Sequence, residues 1–145
     1  MPIPQPPFFA LHRVQVDYDD VDLERITGLL VRMSMEGGVR VAHVLETGPR
    51  RYHVVAWIAP GRRDEVLAAL LRDADEGFVR EVLGGGRWMV LRTTSAAGRS
   101  APRYVLTVCN GRAFYSPRAA RVWSEGFAVQ ARVRGEVLER ARGSR

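Results

Sequence analysis

The chain has 145 residues, 46% hydrophobic and 26% charged, the composition of one ordinary globular domain. No apolar run approaches the roughly 20 residues that span a bilayer, and the start lacks the charged and apolar regions of a signal peptide, so no membrane partner and a cytoplasmic location are expected. The single Cys109 excludes an intramolecular disulfide and a cysteine metal cage, and the net charge of +6 is carried by arginine, since all 22 basic residues are Arg.

Residues 1–9 are a proline-rich lead-in for which no regular structure is expected. Residues 11–18 read as a strand, with Val14, Val16 and Tyr18 alternating against Gln15 and Asp17. Asp19-Asp20 is an N-cap site for a helix carrying Leu23, Ile26, Leu30 and Met33 on one face and ending at Gly37-Gly38. The chain is organised around residues 39–71, which read as strand, turn, strand and helix. Val39, Val41, His43 and Leu45 share one parity of the first strand; Tyr52, Val54, Ala56 and Ile58 share one parity of the second. The turn is Thr47-Gly48-Pro49-Arg50. Both parities are largely apolar, so these strands are covered on both faces or form an oligomer contact. Pro60-Gly61 stops the second strand. The helix has Asp64 and Glu65 in its first turn, where the helix dipole favours carboxylates, and an apolar face of Val66, Leu67, Leu70, Leu71 and Ala74 before Gly77.

Two short strands, 78–83 and 87–92, flank Gly84-Gly85-Gly86. The order β-α-β-β-α-β over residues 10–93 is that of an α+β, ferredoxin-like domain, an antiparallel sheet with two helices on one face. Residues 94–102 are turn-rich and read as a linker or long loop. Residues 103–145 form a basic extension with a β-hairpin around Asn110-Gly111, a pair that supplies the two positive φ angles of a type I′ turn. Ser116-Pro117 ends that hairpin; a further strand begins at Phe127, and residues 136–142 close the chain as a helix.

Arginine in place of lysine fits a GC-rich genome, and scarce Asn, Gln and Cys fit a thermophile. The charge is uneven. Residues 1–100 hold 13 Arg and 13 acidic residues, whereas residues 101–145 hold 9 Arg and 3 Glu, so the whole excess, 9 − 3 = +6, lies in the last third. There Arg112, Arg118, Arg121, Arg132 and Arg134 are interleaved with Phe114, Tyr115, Trp123 and Phe127. Arginine with aromatics binds single-stranded nucleic acid by phosphate contact and base stacking.

The remaining motifs point away from catalysis. His43 and His53 lie on paired strands. If Leu45 pairs with Tyr52 they face opposite sides of the sheet, and a one-residue shift brings them to one side. No carboxylate stands at ligand spacing, so they, like His12, read as structural. Cys109 has no sequence neighbour to lower its pKa and reads as a small buried residue. The run Asp17, Asp19, Asp20 and Asp22 lacks calcium-loop spacing and reads as helix capping. Gly84–Gly86 lacks the ending of a phosphate loop. No catalytic residue, metal site or cofactor is therefore expected. An enzyme using His43 or His53 stands as a third alternative, without a substrate.

The segments Ala113-Phe-Tyr-Ser-Pro, Trp123-Ser-Glu-Gly-Phe-Ala-Val and Val137-Leu-Glu, with the hairpin-helix unit at 39–71, give the chain a resemblance to a known family. It resembles the N-terminal region of archaeal transcription regulators of the bacterio-opsin activator type, over most of residues 10–140. The resemblance implies a sensory domain; in that family it precedes a helix-turn-helix, and no second helix pair of that kind is read here. The expectation is a non-enzymatic regulatory domain, a homodimer, that binds a small ligand or a protein partner with His43, Trp57 and Trp88 as lining. The alternative is a nucleic-acid-binding protein using the arginine-rich last third.

Overall fold

The computed structural model describes residues 13–74 and 102–126, with positions 140 and 143. The expected lead-in, the strands at 78–83 and 87–92 with their glycines, the linker up to residue 101, the strand from Phe127 and the closing helix apart from Arg140 lie outside the described residues. So do His12, Gly77, Trp88, Arg132 and Arg134.

The first strand, β1 (Arg13–Asp19), buries Val14, Val16 and Tyr18 and turns Gln15 and Asp17 the other way, as its alternation requires. Helix α1 (Leu23–Met35) buries Ile26, Leu30 and Met33 at helical spacing. It ends in a paired glycine cap: Gly37 takes φ +83°, its N–H donates to the Ser34 carbonyl, and the Gly38 N–H donates to the Met33 carbonyl. This satisfies two carbonyls that the helix end leaves open. Gly38 also lies against the second helix, where a Cβ would stand 2.8 Å from Val66 Cγ2.

Strands β2 (Val39–Gly48) and β3 (Arg51–Ile58) form the central hairpin, joined through Pro49 and Arg50, the latter at φ +58°. Helix α2 (Arg63–Leu71) buries Val66 and Leu70. Strands β4 (Arg103–Cys109) and β5 (Arg112–Phe114) form the second hairpin, and Asn110 and Gly111 take the positive φ values, +53° and +72°, of its two-residue turn. The described sheet has five strands in the order β1-β3-β2-β4-β5, with every pairing antiparallel. The protein is thus α+β, with β3 inserted between the strands that α1 connects.

The hairpin of residues 103–114 continues the same sheet, β4 pairing with β2. The central hairpin accordingly has no free edge, since β3 is covered by β1 and β2 by β4, and its apolar two-sidedness reflects burial on both faces. One expectation needs correction: the acidic run does not cap α1 with its side chains. Asp22 holds the N-cap position with no side-chain cap, because Asp20 and Asp22 both turn to the Arg50 guanidinium and Asp19 turns to Arg51. Opposite charge across the hairpin turn outcompetes the helix N–H groups.

The main core lies between one face of the sheet and the two helices. Val14, Val16, Ala42, Val44, Val54, Ala56, Ile58 and Val108 meet Ile26, Leu30, Met33, Val66 and Leu70 there. Within it the Tyr18 hydroxyl donates to the Leu70 carbonyl at 2.6 Å, bracing β1 against the end of α2. Burial, with Asp73 nearby, pushes the Tyr18 phenol well above the ordinary tyrosine value, so it stays a donor. At the surface Arg25 joins α1 to Asp73 through two hydrogen bonds of 3.0 and 3.1 Å.

Candidate functional site

The opposite face of the sheet is where polar and aromatic side chains gather, and the register of the central hairpin decides which ones. Leu45 pairs with His53 and His43 with Val55, while between Glu46 and Gly48 the ladder slips by one residue at Thr47. That bulge shifts the pairing away from the Leu45–Tyr52 alternative and puts His43 and His53 on the same face. His43 also pairs directly with Thr107 of β4. The second face therefore assembles His43 and Leu45 from β2, His53, Val55 and Trp57 from β3, and Tyr104 and Thr107 from β4.

A helix covers part of this face. Residues 117–126 are helical, a segment whose pattern alone predicts no helix. Its start is conventional: Pro117 occupies the first turn, and the Ser116 hydroxyl oxygen accepts the Ala119 N–H at 3.1 Å. Ala119, Ala120 and Trp123 then pack against the small cluster of Leu45, Val55, Tyr104 and Trp57. Trp123, which its neighbours suggest is a strand residue, is thus a helix residue turned inward.

His43 sits at the centre of a ring cluster. Its imidazole lies 5.8 Å from the Trp57 ring at 85°, 5.8 Å from Trp123 at 68°, and 6.2 Å from Tyr104 at 57°. Edge-to-face packing of this kind sets the electropositive ring edge against the neighbouring π-face. Tyr115 stacks outside the cluster, 5.4 Å from Tyr104.

A hydrogen-bonded chain runs through the cluster. The Ser116 N–H donates to the Tyr104 hydroxyl at 3.0 Å, that hydroxyl lies 2.6 Å from Thr107 Oγ1, and Thr107 Oγ1 lies 2.9 Å from His43 Nδ1. One proton arrangement satisfies every member. Tyr104 donates to Thr107, Thr107 donates to His43 Nδ1, and the imidazole carries its proton on Nε2. Burial holds His43 below the ordinary histidine value, which favours the neutral ring that this chain needs. Nε2 makes no hydrogen bond among the described residues.

His53 occupies the same face beside Leu45. It is buried, its Nε2 lies 3.3 Å from Asp17 Oδ1, and its Nδ1 has no hydrogen-bond partner among the described residues. Cys109 is a half-buried free thiol. Among the described residues no group of three or more His, Cys, Asp and Glu side chains could hold a metal ion. The arrangement is a wall of rings with one imidazole and two hydroxyls.

Of the sequence candidates, His43 and Trp57 come together, and Trp88 lies outside the described residues. Arg112, Arg118 and Arg121 are exposed. Tyr104, Thr107 and Trp123 are site residues that the sequence does not single out as ligand lining. Their membership depends on β4 pairing beside β2, which no local pattern announces, although Ser-Pro at 116–117 is a readable helix start. No helix among the described residues is long and apolar enough to cross a membrane. The chain matches no known protein family model, no curated protein and no solved structure.

Proposed function

We propose that this protein is a non-enzymatic regulatory or sensory domain that takes a small ligand against the second face of its sheet, at His43. The observation that carries this reading is the ring cluster itself: Trp57, Tyr104 and Trp123 around an imidazole fixed at Nδ1 by Thr107. Such walls suit a flat, largely apolar molecule with one hydrogen-bonding group directed to Nε2. The helix at 117–126 is the movable part, since its docking on the sheet rests on a small patch around Ala119, Ala120 and Trp123. A ligand that replaces Trp123 beside His43 would change how that helix docks, which is the kind of two-state element a sensor requires. The resemblance to sensory regions of archaeal transcription regulators favours the same role, with a separate or attached DNA-binding partner.

A ferredoxin-like fold belongs to this proposal. The β1-β3-β2 part of the sheet has the order that fold requires, and its fourth strand would pair along the β1 edge, which no described strand occupies.

Tryptophan fluorescence tests the reading, because two of the rings that touch His43 are themselves the probes. Titration with a panel of planar metabolites at millimolar concentration should give a saturable emission change with at least one of them, together with a rise in Tm. Trp57→Phe and Trp123→Phe should each remove part of that change. A broad panel that leaves both emission and Tm unaltered would oppose the proposal.

A further inference from the structure

The second hairpin and the helix after it expose a different surface. Phe114 is 46% exposed, Tyr115 63% and Val122 58%, a run of apolar side chains on the outside of a small domain. Three arginines stand among them. Arg112, Arg118 and Arg121 are exposed and form no ion pair or hydrogen bond with any described residue, in contrast to Arg25, Arg50, Arg51, Arg62 and Arg103, which all meet carboxylates. Residues 102–126 hold four arginines and one acidic residue, Glu125, whereas residues 13–74 hold nine arginines against ten carboxylates.

Geometry places these groups on one side. Phe114 pairs with Thr107 and Arg112 with Cys109, so Arg112 and Phe114 share the face of β5 that continues the ring-lined face of the sheet. Tyr115 is steadied by its packing against Tyr104 while its other side meets solvent. In the helix, Ala119, Ala120 and Trp123 face the sheet, which leaves Arg118, Arg121 and Val122 on the outer surface. The tail's aromatics thus divide: Trp123 is used inside, and Phe114 and Tyr115 present open rings.

We propose that the Arg112–Phe114–Tyr115–Arg118–Arg121 surface binds single-stranded nucleic acid, with bases stacked on Phe114 and Tyr115 and phosphates met by the three arginines. Charge complementarity selects a polyanion, and exposed rings beside the arginines select one whose flat bases are unpaired. A duplex buries its base faces and offers only its charge. An acidic protein segment would use the arginines and leave the two rings without a reason to be exposed together.

The test is fluorescence anisotropy of the full chain with labelled oligothymidine and oligouridine of about 12 nucleotides. It is run at about 50 and 200 mM salt, against a duplex of equal length and against polyglutamate. Binding to the single strands should be the tightest and should weaken steeply with salt. Arg118→Glu combined with Arg121→Glu should reduce affinity by at least about tenfold and flatten the salt slope by roughly 0.7 for each phosphate no longer neutralised. Phe114→Leu keeps an apolar side chain but removes the stacking ring, so it should weaken binding by about five- to tenfold with the salt slope unchanged. Tyr115→Leu should do the same, and thermal unfolding of both variants checks that the hairpin stands. Absence of binding at the lower salt, equal affinity for polyglutamate or duplex, or affinity insensitive to Phe114→Leu and Tyr115→Leu would each overturn the proposal.

Discussion

The two faces of the one sheet are built from different chemistry. Toward α1 and α2, the strands present Val, Ala, Ile and Tyr, and the Tyr18 hydroxyl that enters there is bonded to a helix carbonyl. Toward the helix at 117–126, the same strands present two histidines, a threonine, a tyrosine and a tryptophan, with Leu45 and Val55 as the buried aliphatic side chains of that cluster. Hydrocarbon burial supplies stability without direction, whereas a fully bonded polar chain among rings fixes one geometry at high cost if any member is removed. The first face is what holds the domain together. The second is where a ligand could displace a side chain without unfolding it.

Substitution on each face separates these roles. Leu30→Ala removes a fully buried side chain from the first face. It should destabilise by about 3–4 kcal/mol, read as a lowered denaturant midpoint, while leaving the fluorescence of the ring cluster unchanged below the transition. On the second face Thr107→Val keeps the shape but strips the hydroxyl that joins Tyr104 to His43. Its expected effect is about 1–3 kcal/mol, because buried polar groups lose their partner, and Thr107→Ser should restore most of it. Trp123→Ala should be smaller in global terms, about 1–2 kcal/mol for a half-buried ring. Its distinctive sign is local: amide exchange should accelerate across 117–126 while the amides of Ile26, Leu30 and Met33 keep their protection. Equal loss of protection in α1 would mean that the two faces are one cooperative unit, and the division of labour would fail.

Much of the first face is legible in the sequence, since local rules suffice for it. Val14, Val16 and Tyr18 alternate, Ile26, Leu30 and Met33 recur at helical spacing, and Gly37-Gly38 and Asn110-Gly111 name their own conformations. The second face is not local. His43 meets Trp57 through a hairpin register set by one bulged residue, Thr47, and meets Thr107 through a pairing 64 residues away in sequence. A pattern of residues specifies neither, because a one-residue slip exchanges the faces and either edge of the hairpin could receive β4. The helix that carries Trp123 is announced by Ser116-Pro117 alone. Its stretch of Arg, Ala, Val and Trp lacks a long apolar stripe, since only Ala119, Ala120 and Trp123 need to be buried.

The smallest expected effect probes the second face through its charge. Burial lowers the His43 pKa in the folded protein, so the unfolded chain takes up a proton here at higher pH than the folded one does. As pH falls below the unfolded value of about 6.5, the unfolded state binds more protons and stability declines, until the folded ring is protonated as well and the decline stops. The contribution is therefore complete above about pH 6.5 and is lost on acidification, with a slope of at most about 1.4 kcal/mol per pH unit for one proton. The measurement is the difference between wild type and His43→Gln in denaturant midpoints from pH 8 to pH 5, which isolates the contribution of this one ring. Wild type should lose more stability than the variant across that interval, because the amide carries no proton to gain. The loss should coincide with a fall in tryptophan emission, since a protonated imidazole beside Trp57 and Trp123 quenches them more effectively than a neutral one. Parallel curves for the two proteins would place His43 in a solvated setting, and the second face would then lose its claim to a preorganised neutral imidazole.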